Sequence, residues 1–335
     1  MSVVGLLLVL LASACGGAPG GGAPTGTAPT AAATAAATAA EAYPTRPITL
    51  SVGFAPGGGA DVFSRALAEA AKGVVAQPIQ VENRGGAGGT TASAYVKGQP
   101  ADGYTLLFGH AGSTILTPTI AKTPELKWDA FEPVARIHAE EEILLLRPDS
   151  RWKTLEEVVA FAKANPGQVR AGGSALGGID SFVILSLEKA AGIDVTYVPF
   201  DGGGPALRAF LSKDIDVLVG NLSDVGTTID AKTAFPFAVA SDKRSPVFPD
   251  VPTLKEKGWD VVFVQWRSIF APKGTPAARL NILADGFRKA LDSASWKSFR
   301  ERTRSVDLFL GPAEFRTFLQ SEDTRFTAII KELGL

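Results

Sequence analysis

Residues 48–61 read ITLSVGFAPGGGAD, an apolar run that ends in a proline and three consecutive glycines. The apolar and β-branched residues at 48–54 predict a strand, and the glycines predict a tight turn whose backbone amides can approach another group closely. From 61 to 74, apolar residues recur at the spacing of an amphipathic helix. A strand, a glycine turn and a helix in this order are typical of a parallel sheet with crossover helices.

This order repeats along the chain. Further strands are predicted at 78–82, 104–109, 169–172, 195–200, 215–220, 235–241 and 261–270. A long β-type stretch at 133–146 divides the repeats into two series, and two final helices, 277–293 and 313–333, are expected to return to the first series. The sequence therefore predicts an α/β protein of two domains, 43–142 plus 266–335 and 143–265, each a mainly parallel sheet flanked by helices.

Five of the predicted strands are followed by turns of glycine, serine or asparagine, at 56–61, 109–113, 172–181, 201–205 and 220–224. In an open α/β sheet the carboxyl ends of the parallel strands share one edge, and ligands bind in the crevice there. Glycine amides and the positive N-terminal ends of the following helices suit an anionic group. We therefore expect two facing sets of loops, one from each domain, that hold a carboxylate.

Composition excludes several classes of protein. The 335 residues include 33 basic and 34 acidic side chains, two histidines and one cysteine. The balanced charge lacks the basic surface that binds nucleic-acid phosphates, so no nucleic-acid partner is expected. Two histidines and one cysteine cannot build a zinc site without carboxylates, and one cysteine cannot form an intramolecular disulfide. No metal and no cofactor is predicted.

The N-terminus predicts export and lipidation. Residues 3–12 are almost uninterruptedly apolar, too short to span a bilayer but suited to a signal peptide. The following Ala-Ser-Ala-Cys-Gly at 12–16 resembles a lipobox, which predicts a signal peptide at 1–15 and a lipid on Cys15. The alternative is an ordinary cleavage site beside an incidental cysteine. Residues 16–42, rich in Gly, Ala, Pro and Thr, predict a flexible tether, and hence an extracytoplasmic protein anchored to a membrane.

An oxidoreductase of the NAD type is the alternative from another class. The glycines at 57–59 follow a strand and open a helix, and Glu82 ends the next strand, as in a dinucleotide-binding unit. Val62, however, stands where that fingerprint has its third glycine. The sequence around Ser174 lacks the G-x-S-x-G spacing of a nucleophile elbow, and no phosphate-binding P-loop motif is present. We therefore predict no catalytic residue and no enzyme.

A few charged residues have two interpretations each. The glutamates at 140–142 are interpreted as a solvated face or a hinge rather than calcium ligands, and His138 as a hydrogen-bonded hinge or surface residue. His110 lies in a predicted ligand turn and could donate to an anion. Arg267 could bind a ligand carboxylate through its two-pronged guanidinium, or form an interdomain salt bridge. Arg84 could contact ligand or cap backbone carbonyls.

Longer segments point to a known family. The chain resembles the substrate-binding receptors of tripartite tricarboxylate transporters, the Bug-type receptors, over about residues 43–335. The segments that carry this resemblance are YPTRPI at 43–48, FAPGGGAD at 54–61, VENRGGAGG at 81–89, DGYTLL at 102–107, AKANPG at 162–167, VPFDGGGPAL at 198–207 and PDVPTL at 249–254.

The resemblance implies a two-domain periplasmic-binding-protein fold of type II, with an organic acid held between the domains. It also implies delivery to integral-membrane transporter subunits; we expect a monomer. A ligand-binding partner of a sensor with the same fold is a further alternative. The expected ligand-binding residues of the first domain are Phe54, Pro56, Gly57, Gly58, Gly59, Ala60, Asp61, His110, Ala111 and Ser113. Those of the second domain and the returning strand are Gly173, Ser174, Gly178, Asp180, Ser181, Phe200, Asp201, Gly202, Gly203, Asn221, Ser223 and Arg267.

One segment departs from the family pattern. Residues 176–181 read LGGIDS where many members have an Asn-Gly-Thr-like turn followed by Ser-His. The Trp266–Arg267 pair and the DGGG at 201–204 are more similar to the citrate-type branch. An additional cation in the cleft would favour a di- or tricarboxylate as the ligand.

Overall fold

Eleven strands form two sheets within residues 42–335, the part of the chain that this computed structural model describes. The predicted signal peptide, the lipidation of Cys15 and the tether up to residue 41 lie outside the described residues. The strands are β1 Ile48–Val52, β2 Ile79–Asn83, β3 Thr105–Gly109, β4 Phe131–Glu141, β5 Ile143–Leu146, β6 Arg170–Gly173, β7 Thr196–Pro199, β8 Val217–Gly220, β9 Phe235–Val239, β10 Val264–Pro272 and β11 Val306–Leu310.

Ten α-helices accompany the strands over the same residues. They are α1 Gly59–Ala70, α2 Thr90–Lys97, α3 Thr117–Ile120, α4 Leu155–Ala164, α5 Ile179–Ala191, α6 Gly203–Leu211, α7 Leu222–Asp230, α8 Ala277–Ala290, α9 Ala294–Thr303 and α10 Pro312–Leu333. Within residues 42–335, none of the helices combines the length and the apolar character needed to cross a membrane.

The first sheet has six strands in the order β11-β4-β10-β3-β1-β2. Strand β1 pairs in parallel with β2 and β3, whereas β10 runs antiparallel to both β3 and β4. Helix α1 packs against this sheet through Phe63, Leu67 and Ala70, which recur at three- and four-residue spacing and are at most 1% exposed. Phe63 contacts the rings of Phe108 and Trp296, so α1, the sheet and α9 share one core.

The second sheet has five strands in the order β7-β6-β8-β5-β9. Strand β6 is parallel to β7 and β8, while β5 is antiparallel to β8 and β9. Both sheets are thus mixed and flanked by helices. Two of the antiparallel pairs, β4 with β10 and β5 with β9, join a strand of the outward crossing to a strand of the return, and these run in opposite directions.

The chain passes between the sheets at two neighbouring places. Glu142 alone separates β4 from β5, so the predicted strand at 133–146 is two strands that belong to different sheets. The return runs through 240–263 to β10, whose first residue, Val264, pairs with Glu141. A short crossing of this kind brings the loops of the two sheets face to face.

For two expectations about this region the solvent-exposed alternative was wrong, and the hinge alternative stays a prediction. The glutamates at 140–142 do not form a solvated face, because the side chain of Glu140 is 1% exposed and Glu142 is fully buried. His138 is likewise buried and is not a surface residue. The reason is that Arg267, far away in sequence, supplies a buried positive charge beside Glu140. Helix α9 and strand β11 were not predicted; β11 forms the edge of the first sheet beside β4.

Candidate functional site

A cavity lies between the two sheets, where the loops after β1, β3, β6, β7 and β8 meet. It has a volume of about 40 Å³, room for a few water molecules. Strand β10 completes its wall. The lining residues are Phe54, Ala55, Gly58, Gly59, Ala60, His110, Ser174, Asp180, Asp201, Gly202, Gly203, Pro205, Asn221, Asp224, Gln265 and Arg267.

The N-terminus of α1, from the first sheet, faces the start of α6, from the second. Asp224 on α7 lies between them, and its Oδ1 accepts a 2.6 Å hydrogen bond from the backbone N–H of Gly59. A Cβ added at Gly59 would lie 2.7 Å from Asp224 Oδ1, and one added at Gly203 would collide with the carboxyl group of Asp224. Only glycine allows this close approach, so the two glycines hold the sheets' loops together around one carboxylate.

Arg267 on β10 links the two sheets through hydrogen bonds. Its Nη2 donates to Asn221 Oδ1 at 3.0 Å and to Ser223 Oγ at 2.6 Å, and its Nε donates to Glu140 Oε1 at 3.2 Å. The side chains of Arg267 and Glu140 are 3% and 1% exposed. Burial alone would raise the pKa of Glu140, but the Arg267 guanidinium and hydrogen bonds from His138 and Ser223 hold it well below its usual range. Arg267 and Glu140 therefore form a buried ion pair.

The two histidines are neutral parts of this site. Burial and the charge of Arg267 lower the pKa of His110 to about 3. Its Nδ1 accepts a 3.1 Å hydrogen bond from the N–H of Gly112, which leaves the ring proton on Nε2 as a donor. Burial also lowers the pKa of His138, whose Nε2 lies 2.9 Å from Glu140 Oε1. His110 is therefore neutral, and its Nε2–H is available as a hydrogen-bond donor.

The loop after β6 is organised by Asp180, near the start of α5. Asp180 Oδ2 accepts a 2.5 Å hydrogen bond from Ser174 N, and the Ser174 carbonyl accepts a 2.7 Å bond from the hydroxyl of Tyr197. Burial raises the pKa of Asp180, and burial with the nearby charge of Asp180 raises that of Glu142 well above its usual value. Both carboxyl groups are therefore protonated more readily than they would be in water.

The negative charge of Asp224 is stabilised less by its surroundings than that of Glu140. Burial raises its pKa to about 6, although Arg267 opposes this rise and the Gly59 hydrogen bond opposes it too. Its charge is therefore only partly compensated within the protein at neutral pH.

The structure brings together part of the predicted ligand-binding set around the cavity. The predicted residues that line it are Phe54, Gly58, Gly59, Ala60, His110, Ser174, Asp180, Asp201, Gly202, Gly203, Asn221 and Arg267. The predicted residues that do not line it are Pro56, Gly57, Asp61, Ala111, Ser113, Gly173, Gly178, Ser181, Phe200 and Ser223. Several of these lie next to the lining residues and support the loops that carry them. Asp61, for example, accepts from the Gly57 amide at 2.9 Å and pairs with Arg65.

Four lining residues are absent from the expected ligand-binding residues, Ala55, Pro205, Asp224 and Gln265, although Pro205 and Asp224 lie within the predicted turns 201–205 and 220–224. Asp224 lies in the first turn of α7, where an acidic residue is expected from the helix dipole alone. Gln265 lies two positions before Arg267 on β10, so the alternation of a strand places both on the same side. That alternation could have identified Gln265 once Arg267 was chosen.

A larger groove, of about 750 Å³, lies on the other side of β10. Val264 and Trp266 face this groove, while Gln265 and Arg267 face the cavity between the two sheets. None of the five glycine, serine or asparagine turns lines this groove. All five turns contribute lining residues to the smaller cavity.

Several known proteins are similar to this chain in sequence or in structure. BugT of Bordetella pertussis is 30% identical over 299 residues, covering 88% of this chain and 91% of BugT. The solved structure of the periplasmic binding protein BugD matches with a TM-score of 0.79 at 25% identity, over 87% of this chain and 99% of BugD. MatC of Rhodopseudomonas palustris, solved with bound malate, matches with a TM-score of 0.78 at 28% identity, over 86% of this chain and all of MatC.

These structures confirm the periplasmic-binding-protein-like fold expected from the sequence. The chain also matches TctC, the tripartite tricarboxylate transporter family receptor, over residues 63–335. This match spans most of the chain and confirms the resemblance noted in the sequence. The protein is therefore a member of the tripartite tricarboxylate transporter receptor family of periplasmic solute-binding proteins.

Proposed function

We propose that this chain is an extracytoplasmic receptor that captures a small organic acid between its two sheets and delivers it to a tripartite-type membrane transporter. The lobes that move are the predicted domains, 43–142 plus 266–335 and 143–265. In this proposal Cys15 carries the lipid anchor, the receptor works as a monomer, and it binds its ligand without chemical change. The malate bound to MatC supports a carboxylate as the ligand class.

The observation that carries the proposal is the hydrogen bond between Asp224 Oδ1 and the Gly59 amide. The bond places the carboxylate of Asp224, on α7 beside the second sheet, at the N-terminus of α1, which packs on the first sheet. Backbone N–H groups at a helix N-terminus bind anions well because they are unpaired within the helix and lie at its positive end. An organic acid can be held by the same kind of donor when the lobes close on it.

The closed cavity also supports a receptor with moving lobes. Its volume of about 40 Å³ is far below the several hundred Å³ of a typical ligand pocket. A ligand of several carbon atoms therefore enters only when the loops after β1 and β3 move away from those after β6, β7 and β8. The two short crossings near Glu142 and Val264 are the natural hinge.

A thermal-shift screen of the full-length protein tests this proposal. Mono-, di- and tricarboxylates are added singly, and a true ligand at a hundred times its dissociation constant should add about 2.7 kcal/mol of stability. The variant Gly59→Ala should lose most of this stabilisation, because its Cβ would lie within 2.9 Å of Asp224, Ser223 and Arg267 atoms and wedge the lobes apart.

Gly226→Ala is the matched control. Gly226 lies in α7, and a Cβ there would meet only the Arg302 carbonyl at 4.0 Å. This variant should respond to ligand as the unmodified protein does. A screen in which no carboxylate stabilises the protein, or in which both alanine variants respond equally, refutes the proposed site.

A further inference from the structure

The groove behind β10 has the volume of a ligand pocket. It measures about 750 Å³, within the several hundred to about 1,000 Å³ that small-molecule sites occupy. One face of α10 forms a wall of this groove, through Phe318, Glu322, Arg325, Ile329 and Leu333, which recur every three or four positions. From the first to the last of these residues the helix rises about 22 Å. The groove is therefore long and suits an extended ligand.

Part of this groove is apolar surface that the fold leaves uncovered. Leu308 on β11 is 43% exposed, and Ile329 and Leu333 on α10 are half-buried. Phe318, further along the groove, packs its ring edge-on against that of Trp266, with ring centroids 5.8 Å apart. Exposed apolar surface gathered in one groove marks a place where another molecule binds. An alkyl chain suits this surface, because it needs no hydrogen bond along its length.

The charged side chains that line the groove are paired with one another, with a single exception. Asp260 is 85% exposed and lies 4.0 Å from Lys255. Arg136 on β4 is the exception, since no carboxylate oxygen in the described part of the chain lies within 4.0 Å of its guanidinium nitrogens. The remaining ion pairs along the groove are Lys189 with Glu332, Lys255 with Asp242, and Arg325 with Glu322.

Arg136 is fixed in position by contacts that do not neutralise its charge. Its Nε donates a 2.8 Å hydrogen bond to the Leu308 carbonyl, and its Cζ lies 4.4 Å from the centre of the Phe318 ring. Within residues 42–335, these contacts leave both terminal nitrogens without an acceptor. A guanidinium oriented in this way can bind a carboxylate through two parallel hydrogen bonds.

The end of the groove near Arg136 has one positive charge in excess. Arg136 and Arg325 are the cations there, and Glu322 is the carboxylate between them. Glu322 is already occupied, because it pairs with Arg325 at 2.9 Å and accepts a 3.1 Å hydrogen bond from Trp266 Nε1. Burial lowers the pKa of Arg136, and the charge of Glu322 opposes this lowering only in part. A bound anion would supply the missing counter-charge.

These observations complement a molecule with one acidic end and one apolar chain. We propose that the groove behind β10 is a second ligand site, which binds a single-chain alkyl carboxylate with its head group on Arg136 and its chain along α10. The site is separate from the cavity between the two sheets, because Gln265 and Arg267 line that cavity from the opposite side of β10. The assignment goes beyond the proposed receptor function and does not depend on it.

Isothermal titration calorimetry on the full-length protein tests the proposal with decanoate, kept below the concentration at which it forms micelles. Decyltrimethylammonium has the same chain with a positive head group, and acetate has the head group without the chain. Decanoate should bind at least about tenfold more tightly than either, because only decanoate matches both the apolar surface and the charge of Arg136.

Variants of the groove assign this binding to particular residues. Arg136→Met keeps an unbranched side chain and should weaken decanoate binding at least about tenfold without weakening that of decyltrimethylammonium. Arg136→Lys keeps the charge and should retain part of the affinity. Ile329→Gln should weaken the binding of decanoate several-fold, because it places a polar group on the apolar wall. Arg302→Met, at an exposed arginine of α9 outside the groove, is the matched control and should bind decanoate as the unmodified protein does.

Asp224→Asn separates the two sites. It removes a negative charge from the wall of the cavity between the sheets, so an acid bound there should gain affinity, whereas one bound behind β10 should not respond. Decanoate binding that responds to Asp224→Asn but not to Arg136→Met overturns the second site and leaves the proposed receptor function intact. Absence of decanoate binding, or equal binding of the two decyl probes, also overturns it. Binding that depends on Arg136 supports the second site even if the carboxylate screen is negative and the proposed function fails.

Discussion

The buried pair of Arg267 and Glu140 allows a quantitative test through Arg267→Met. The substitution keeps an unbranched side chain but removes the charge and the three hydrogen bonds to Glu140, Asn221 and Ser223. Asn221 and Ser223 remain bonded to each other at 2.6 Å, so their loss is small. The main cost is the uncompensated charge of Glu140, for which breaking a buried pair typically costs about 3–5 kcal/mol.

The sign of the pH dependence makes the test specific. In the unmodified protein the pKa of Glu140 is depressed, so the pair stabilises the fold above the ordinary carboxyl pKa and less as the pH falls. Without Arg267, burial raises the pKa of Glu140 instead. The free energy of unfolding lost in Arg267→Met should therefore be largest at neutral and alkaline pH and shrink in acid.

Urea unfolding followed by circular dichroism at several pH values measures this loss. The double variant Arg267→Met with Glu140→Gln removes both charges and should recover more than half of the lost free energy of unfolding. In the unmodified protein the Ser223 backbone N–H donates to Glu140 Oε2, and the introduced amide oxygen can accept the same bond. A single-variant loss below about 1 kcal/mol, the range of exposed pairs, or a double variant less stable than the single one refutes the reasoning.

Three further predictions concern other parts of the molecule. Phe63→Ala should lower the free energy of unfolding by about 3–5 kcal/mol in a denaturant titration, because the ring is fully buried; a loss below about 1 kcal/mol would mean that this core is loosely packed. Gly53→Ala should greatly reduce the yield of folded protein, measured by gel filtration, since its Cβ would lie 2.6 Å from the backbone of Gly89; normal yield and stability would contradict that contact. Asp224, with a folded pKa of about 6, binds more protons folded than unfolded, so its contribution to stability falls as the pH rises. Asp224→Asn should therefore gain up to about 2–3 kcal/mol relative to the unmodified protein between about pH 4 and pH 7 in unfolding titrations, and a constant difference would disprove the shift.

The sequence predicted the α/β fold because its main signals are local. The apolar run and glycines at 48–61 define β1, its turn and α1 without help from elsewhere in the chain. The same holds for the turns after β3, β6, β7 and β8, which do meet at one cavity. The bounds shifted by a few residues, and Gly59 rather than Asp61 begins α1.

The charges of the site could not be predicted in the same way. Three consecutive glutamates at 140–142 are typical of a solvated segment, and nothing near them in sequence shows that Arg267 compensates the first. Asp224 has the position of an ordinary helix-start residue, and its contact with Gly59 joins residues 165 positions apart. Such pairings depend on tertiary contacts, and they decide which ligand the cavity suits.

The order of strands in the sheets has a consequence for biosynthesis. All five strands of the second sheet lie in one continuous segment, from β5 to β9, so every pairing partner is present once the chain has emerged up to residue 239. The first sheet has its central strand, β10, between β3 and β4, and these cannot be joined until residue 272 has been added. We therefore expect the middle of the polypeptide to mature before the half that was translated first, and β1 to β4 to remain exposed to chaperones during that delay.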